Sequence, residues 1–361
     1  MEQQQRSLKP IPLTTPSEAP LVSVLIANYN YERFLRDAIE SALAQTYSHK
    51  EIVVCDDGST DGSLSLLEEI AADNEAIRVI RQDNRGQAAA LSAAFEASKG
   101  EIISLLDADD YMRADKLEKI VGAFRNHPDC GMVVHQMMRV DQNKTEQGIY
   151  PMASALPEGW LGPAALDAGG YVPWIEAGIM SLRREIAERI FPLPAEARQF
   201  SDVILRGAGA VLAPIVAVAE PLAFYRLHGA NVGNTARRFG RNEMLEHRRR
   251  DLEELQVAYS ALARVIREAT GLSPAAFETT RPYLERRYVI AHLANEPRST
   301  RRVLLDKLLS RPEAMSPRLR LFYRLSPMLP RPLFKGGLEL VLGQGRLKSM
   351  AAKMAATSRR A

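Results

Sequence analysis

The hydrophobic positions of the chain change their period at regular intervals. From Leu21 the run LVSVLIA sets aliphatic and β-branched residues side by side without alternation, the pattern of a parallel strand buried on both faces. Behind it, YERFLRDAIESALAQ spaces its apolar residues at helical intervals. The cycle recurs as EIVVC with a helix from about Ser63 to Ala72, as IRVI with a helix across AAALSAAFEAS, and as EIISLL with a helix from about Ala114 to Phe124. This alternation predicts an α/β fold: a mostly parallel sheet flanked by helices. In such a sheet ligands bind beyond the carboxyl ends of the strands. Those ends carry Asn28-Tyr29-Asn30, Asp56-Asp57-Gly58-Ser59, Asp83-Asn84-Arg85-Gly86 and Asp107-Ala108-Asp109-Asp110.

Elsewhere the pattern differs. Residues 1–20 are rich in Gln, Pro and Thr and read as a flexible lead-in. Residues 130–235 are less regular and hold both tryptophans, Trp160 and Trp174. From about Asn242 the chain reads helical. Leu252, Leu255, Tyr259, Leu262 and Ile266 form an apolar stripe ended by Gly271, and Ser273-Pro274 reads as the cap and first position of the next helix. The expected divisions are a lead-in over 1–20, an α/β domain over 21–235, a helical extension over 236–315 and a basic amphipathic tail over 316–361.

Composition narrows the class. With 46% hydrophobic and 25% charged residues, disordered and collagen-like chains are excluded. Two cysteines build no disulfide framework, and the N-terminus shows no apolar leader, so a reducing, cytoplasmic setting is expected. No stretch approaches the length of apolar sequence that crosses a bilayer. The net charge of +3 conceals an asymmetry: residues 316–361 hold ten Lys or Arg and one acid, Glu339, whereas residues 1–315 carry a charge of −6. A basic tail on an acidic body predicts an anionic partner.

The acidic turn at Asp107, Asp109 and Asp110 follows a buried apolar strand. Three carboxylates side by side repel one another unless a cation offsets the charge, which favours a divalent metal. Oxygen ligands point to Mn²⁺ or Mg²⁺, whose shells are completed by phosphate oxygens and water. A helix N-terminus, which also attracts Asp, is the competing explanation of the same residues.

Together these segments resemble the family 2 glycosyltransferases, inverting enzymes of the GT-A fold, a Rossmann-like mostly parallel sheet. The resemblance rests on VSVLIANYNYERFLRDAIESALAQTYSHKEIVVCDDGSTDGS, on NRGQAAALSAAFEASKGEIISLLDADD, on FSDVILRGAGA and on YRLHGAN, and it covers about residues 21–235. It implies transfer of a hexose-type sugar from a nucleotide-sugar donor, UDP-linked in many members, to a carbohydrate or lipid-linked hydroxyl acceptor. It further implies that Ala27, Tyr29, Asp57, Arg85, Asp107 and Ala108 line the donor nucleotide. Tyr29 offers a ring for the base to stack on, and Asp57 an acceptor for the base N–H. Asp109 is the implied metal ligand, joined by His228. Asp110 and Arg226 are placed beside the diphosphate or in support of it. Where the family carries a Glu-Asp pair at a helix start, this chain has Ser201-Asp202, so Asp202 matches the general base and Ser201 departs from the pattern.

Other classes fit less well. Sugar nucleotidylyltransferases need a Gly-rich basic loop after the first strand, and Asn28-Tyr29-Asn30-Tyr31-Glu32 has no glycine. A catalytically degenerate carbohydrate-binding or scaffold protein predicts loss of the carboxylates, yet Asp107, Asp109 and Asp202 are all present. The tail lacks a nucleic-acid motif, so no nucleic-acid partner is expected. Its mixture of cations with Leu, Phe and Met predicts peripheral contact with an anionic inner membrane face, with packing on protein or a homo-oligomer contact as the competing reading.

Overall fold

The computed structural model describes residues 8–150, 156–173, 177–228, 241–311 and 315–341. The four predicted strands form where the apolar runs lie: β1 (Val22–Asn28), β2 (Lys50–Asp56), β3 (Ile77–Arg81) and β4 (Ile102–Leu105). Helices α1 (Glu32–Leu43), α2 (Ser63–Ala72), α3 (Gln87–Ala97) and α4 (Lys116–Asn126) connect or follow them. Strands β1 to β4 run parallel in the order β3-β2-β1-β4. Val22, Val24 and Ile26 of β1 join residues of α1, α2 and α4 in one apolar cluster. Leu25, on the opposite side of the strand, is equally buried, and α3 packs on β1 and β2. Burial on both faces is why these strands read as continuous apolar runs rather than alternating ones.

The sheet then continues through the region read as irregular. It holds β5 (Tyr111–Met112), β6 (Met132–Val140), β7 (Glu146–Tyr150), β8 (Met180–Arg183) and β9 (Ile215–Arg226). Nine strands form one sheet in the order β3-β2-β1-β4-β8-β6-β9-β5, with β7 paired to β6. Pairings of β8 with β4 and β6, of β7 with β6 and of β9 with β5 are antiparallel. The expectation of irregularity over 130–235 is thus corrected. Its cause is visible in β9, where Pro221 interrupts the β signal and coincides with a register shift opposite Gln136. Short helices α5 (Gly162–Asp167) and α6 (Arg184–Ala187) and the longer α7 (Ser201–Leu212) complete this part. Trp174 lies outside the described residues.

The lead-in is also corrected. From residue 8 it is a docked strap: Ile11 N–H donates to Leu212 O at 2.8 Å, the Thr14 hydroxyl to Glu185 at 2.7 Å, and Arg183 to Thr14 O at 2.6 Å. An extended Pro-rich segment has no hydrophobic period, so the sequence reading had no signal for this docking. Both cysteines, Cys55 and Cys130, are buried and unpaired. Burial pushes each thiol up to about 12.

Among the described residues five α-helices follow β9: α8 (Arg241–Thr270), α9 (Arg281–Leu293), α10 (Arg298–Leu309), α11 (Pro317–Leu325) and α12 (Arg331–Val341). Two compact units divide the chain, one of residues 1–227 and 254–277, the other of 228–253 and 278–361. They cut the chain elsewhere than the expected boundaries at 235 and 315. Leu255, Tyr259, Leu262 and Ile266 of α8 are buried in the first unit, where Leu262 lies against Gly170 and Gly207. In the second unit one core joins Leu284 and Tyr288 to Leu308, Tyr323 and Phe334, across the expected division. Gly271 ends α8 with φ +72°, as expected. Ser273-Pro274 starts no helix; Thr280 caps α9 instead, its hydroxyl accepting from Tyr283 N–H, with a Pro just inside. No helix among the described residues is long and apolar enough to cross a membrane.

The strap carries a prediction. A chain starting at Leu21 loses hydrogen bonds to Glu185, Arg183 and Leu212, each worth about 1 kcal/mol net. We expect urea unfolding to report a loss of about 2–3 kcal/mol; an unchanged midpoint would show that the docked strap adds nothing.

Candidate active site

Because β1 to β4 are parallel neighbours, their carboxyl ends open on one rim of the sheet. At the end of β1, Ala27 is half-buried, and Tyr29 is 44% exposed just beyond it, leaving a ring face open to a ligand. Asn28 and Asp56 are tied across the strand ends: Asn28 Nδ2 and the Ser59 hydroxyl both donate to Asp56 Oδ1, at 2.8 and 2.6 Å. Asp56 thereby closes its own turn.

Asp57 does more than face a ligand. Its Oδ1 accepts from Gln82 Nε2 at 2.6 Å and from Arg85 N–H at 2.8 Å, and its Oδ2 accepts from Gly86 N–H at 2.8 Å. The buried carboxylate therefore folds the loop after β3. A carboxylate offers about four acceptor positions, so one remains within its capacity for a further donor. Gly86 has φ +93°, and a Cβ there would stand 2.9 Å from the Arg198 backbone, so the loop passes that segment at glycine-only distance. The Arg85 side chain is exposed.

The same loop touches the start of α7. Gln87 N–H donates to Arg198 O at 2.9 Å, and the Ser201 hydroxyl donates to Gln87 Oε1 at 2.8 Å. Asp202 follows in the first turn and is ion-paired to Arg206 at 2.6 Å, one turn along. Ser201, where the family pattern has Glu, thus links the base candidate's helix to the loop that Asp57 holds.

At the end of β4 the acidic turn is closed by Asp110 N–H donating to Asp107 O. Ala108 and Asp110 are buried, Asp107 and Asp109 half-buried. Burial, then the charges of Asp109 and Asp107, push the Asp110 carboxyl well above the usual carboxylate range. Burial and the same three carboxylates raise the Tyr31 phenol. Asp110 Oδ1 accepts from Arg226 N–H at 2.8 Å. The Arg226 guanidinium donates to Asp109 O at 3.0 Å, pairs with Asp37 at 2.7 Å and lies over the rings of Phe34 and Tyr111. These contacts tie Arg226 to the acidic turn and to α1. His228 falls in the second unit, at its start; residues 229–240, including the end of YRLHGAN, lie outside the described residues.

Sequence reasoning missed Lys116. Its side chain is wholly buried, and Nζ donates to Leu105 O at 3.3 Å and Gly178 O at 3.1 Å. Gly178 itself closes on the acidic turn, since a Cβ there would stand 3.1 Å from Asp107 Oδ2. Burial lowers the ammonium to about 7, while Asp107 and Asp110 pull it upward. One signal was available: Lys116 lies four residues before Ile120, on the inward stripe with Leu117, Val121 and Phe124. A cation on that stripe needs buried partners. His135, buried nearby, is pushed well down by burial and then by the Lys116 charge, and so is neutral.

The profile of Glycosyl transferase family 2 matches residues 23–191. An uncharacterised glycosyltransferase of Nostoc sp. is 40% identical over 215 residues, covering 58% of this chain and 66% of the relative. Chondroitin synthase of Escherichia coli is 34% identical over 137 residues, covering 38% of this chain and 20% of that protein. The chain thus spans just under two thirds of the first relative and a fifth of the second. Among solved structures, Staphylococcus aureus TarS 1–349 with UDP-GlcNAc aligns with a TM-score of 0.51 at 15% identity, over 90% of this chain and 93% of that one. The mannosyltransferase PcManGT of Pyrobaculum calidifontis, with GDP-Man and Mn²⁺, aligns with a TM-score of 0.52 at 19% identity, over 97% and 91%. At these identities the two structures establish the likeness of fold.

Lys116 yields a prediction. Lys116→Met leaves two buried carbonyls without a donor and the carboxylates without their cation, which should destabilise the protein by about 3 kcal/mol. A lysine lowered to about 7 in the fold binds fewer protons than in the unfolded chain above that pH. Its contribution therefore rises with pH from about 7 toward the ordinary lysine range and is lost as pH falls through 7. In chelator, the stability gap between wild type and variant should widen above pH 7; a gap that narrows there would reject a lowered Lys116 ammonium.

Proposed function

The chain belongs to glycosyl transferase family 2, and from that premise we propose that it transfers a hexose-type sugar from a UDP-linked donor to a hydroxyl of a carbohydrate or lipid-linked acceptor, with inversion. The observation that carries the reading is the shared rim of β1 to β4, where Tyr29, Asp57, the Arg85 loop and the acidic turn meet. Polysaccharide synthesis is supported as the setting by relatives such as chondroitin synthase.

The residues fit a divalent cation of the Mn²⁺ or Mg²⁺ kind. The carboxylate donor set is all oxygen, and Asp110, raised by burial and then by the charges of Asp109 and Asp107, lies in a crowd of acids whose repulsion a cation would relieve. Among the described residues no three side chains of His, Cys, Asp or Glu are grouped to hold a metal by themselves. That suits an ion bound by one or two carboxylates and completed by substrate phosphates. Asp109 and Asp107 would hold it. Bound there, the ion supplies Lewis-acid stabilisation of the departing nucleoside diphosphate.

The chain's own groups do the rest. Tyr29 stacks on the nucleobase and Asp57 accepts its N–H, while Ala27, Arg85 and Ala108 line the nucleotide. Arg226 and Lys116 keep the acidic turn in shape by backbone hydrogen bonds on either side of it. Asp202, oriented by Arg206, accepts the proton of the attacking acceptor hydroxyl. Water is the competing nucleophile, so the acceptor must occupy the face opposite the leaving group before the base acts.

Two variants test binding and chemistry separately. Asp109→Asn should abolish the Mn²⁺-dependent part of UDP affinity in calorimetry; unchanged affinity with metal present would remove Asp109 from the ion. Asp202→Asn should leave UDP affinity intact and lower transfer by roughly 10²-fold or more, the scale of general-base catalysis. Near wild-type turnover would exclude Asp202 as base.

A further inference from the structure

The C-terminal unit hides one apolar stripe and exposes another. On α11, Leu319, Phe322 and Tyr323 are buried in the unit's core beside Tyr288 and Phe334. Leu321 and Leu325, four residues apart and so on one side of the helix, are 57% and 49% exposed. Met328, in the 3₁₀ turn that follows, is 84% exposed, and Leu333, in the first turn of α12, 61%. Scattered apolar residues need no explanation, but four within residues 321–333 form a local patch that the unit's own core does not use.

Cations frame the patch. Arg318 and Arg324 are exposed, three residues before and after Leu321, and Arg331 and Lys335 flank Leu333. Among the described residues, none of these four stands in an ion pair, although other arginines of this unit do, such as Arg286 with Asp251 and Arg287 with Glu296. The remaining sequence to residue 361 adds five Lys or Arg and no acid beyond Glu339.

We propose that the α11 to α12 edge is a membrane-docking surface that seats Leu321, Leu325 and Met328 at the headgroup level of an anionic leaflet, with Arg318, Arg324, Arg331 and Lys335 against lipid phosphates. Charge selects this occupant. A second copy pairing through the same face would bring like charges together, and the basic tail would be repelled by the same cations. Protein docking surfaces are anchored by aromatic residues in pockets, whereas the exposed side chains here are aliphatic and Met328 projects almost fully. Aliphatic insertion ringed by Lys and Arg is the arrangement of an interfacial helix. The proposal is independent of the transfer reaction and gives that reading a place where a lipid-linked acceptor is at hand.

The test is co-sedimentation of the full chain with phosphatidylcholine vesicles, with and without about one-third phosphatidylglycerol. The expected result is binding to the anionic vesicles at low salt, loss in high salt and none to the neutral ones. The triple substitution Leu321→Ser, Leu325→Ser, Met328→Ser should weaken binding by about tenfold or more. These side chains are exposed, so the melting temperature and UDP affinity should not move. Failure to bind anionic vesicles overturns the proposal. Unchanged binding by the triple variant overturns it too, assigning the lipid contact to other cations. If sedimentation equilibrium shows a dimer that the triple variant breaks, without vesicle binding, the face belongs to a second copy. UDP affinity measured on the same samples keeps a failed docking surface distinct from a failed donor site.

Discussion

Like charges held at the end of a buried strand are the constraint around which the N-terminal unit is arranged. Asp107, Asp109 and Asp110 leave the sheet together, and burial first, then the charges of Asp109 and Asp107, hold the Asp110 carboxyl well above the usual carboxylate range. The fold answers from two sides. Below, Lys116 reaches the last carbonyl of β4 and the carbonyl of Gly178. Above, Arg226 donates its backbone N–H to Asp110 and its guanidinium to Asp109 O, and Asp37 of α1 balances its charge. Arg226 thus bonds the turn itself, and Lys116 bonds the strand end before it and the segment that closes on it.

A second chain of contacts runs along the rim. Asp57 holds the Arg85-Gly86 amides, Gln87 meets Arg198 and Ser201, and Ser201 begins the helix that carries Asp202. The loop after β3 and the start of α7 are therefore neighbours in a single hydrogen-bonded path, although more than a hundred positions separate them in sequence. Ser201, which departs from the family pattern, has a place in this path: its hydroxyl meets Gln87, while Arg206 donates to Asp202.

Legibility in the sequence followed the range of the interaction. β1 to β4 and α1 to α4 were readable because each apolar run reports burial on its own face or stripe, with no need to know its partner. β6, β8 and β9 were not, because their pairing joins segments far apart and Pro221 mutes the local signal. The acidic turn, Tyr29 and Asp57 stood at strand ends and could be named from position. Arg226 was named only through the resemblance, beside the diphosphate or in support of it, and Lys116 was passed over, since a cation's meaning depends on which carbonyls the fold brings to it. The strap at residues 8–20 failed for a similar reason: its hydrogen bonds end on Glu185, Arg183 and Leu212, none of them near it in sequence.

The two thiols have a use that their chemistry defines. Cys55 in β2 and Cys130 before β6 are buried and protonated at neutral pH, and thiolate is the form that reacts with electrophiles. The native chain is therefore a quiet background for maleimide or nitroxide attachment. A cysteine placed at one exposed position at a time, such as 29 on the rim or 328 on the C-terminal unit, would carry a reporter dye or spin label alone. Local polarity and collision with quenchers could then be read at each edge of the molecule without first removing either native cysteine.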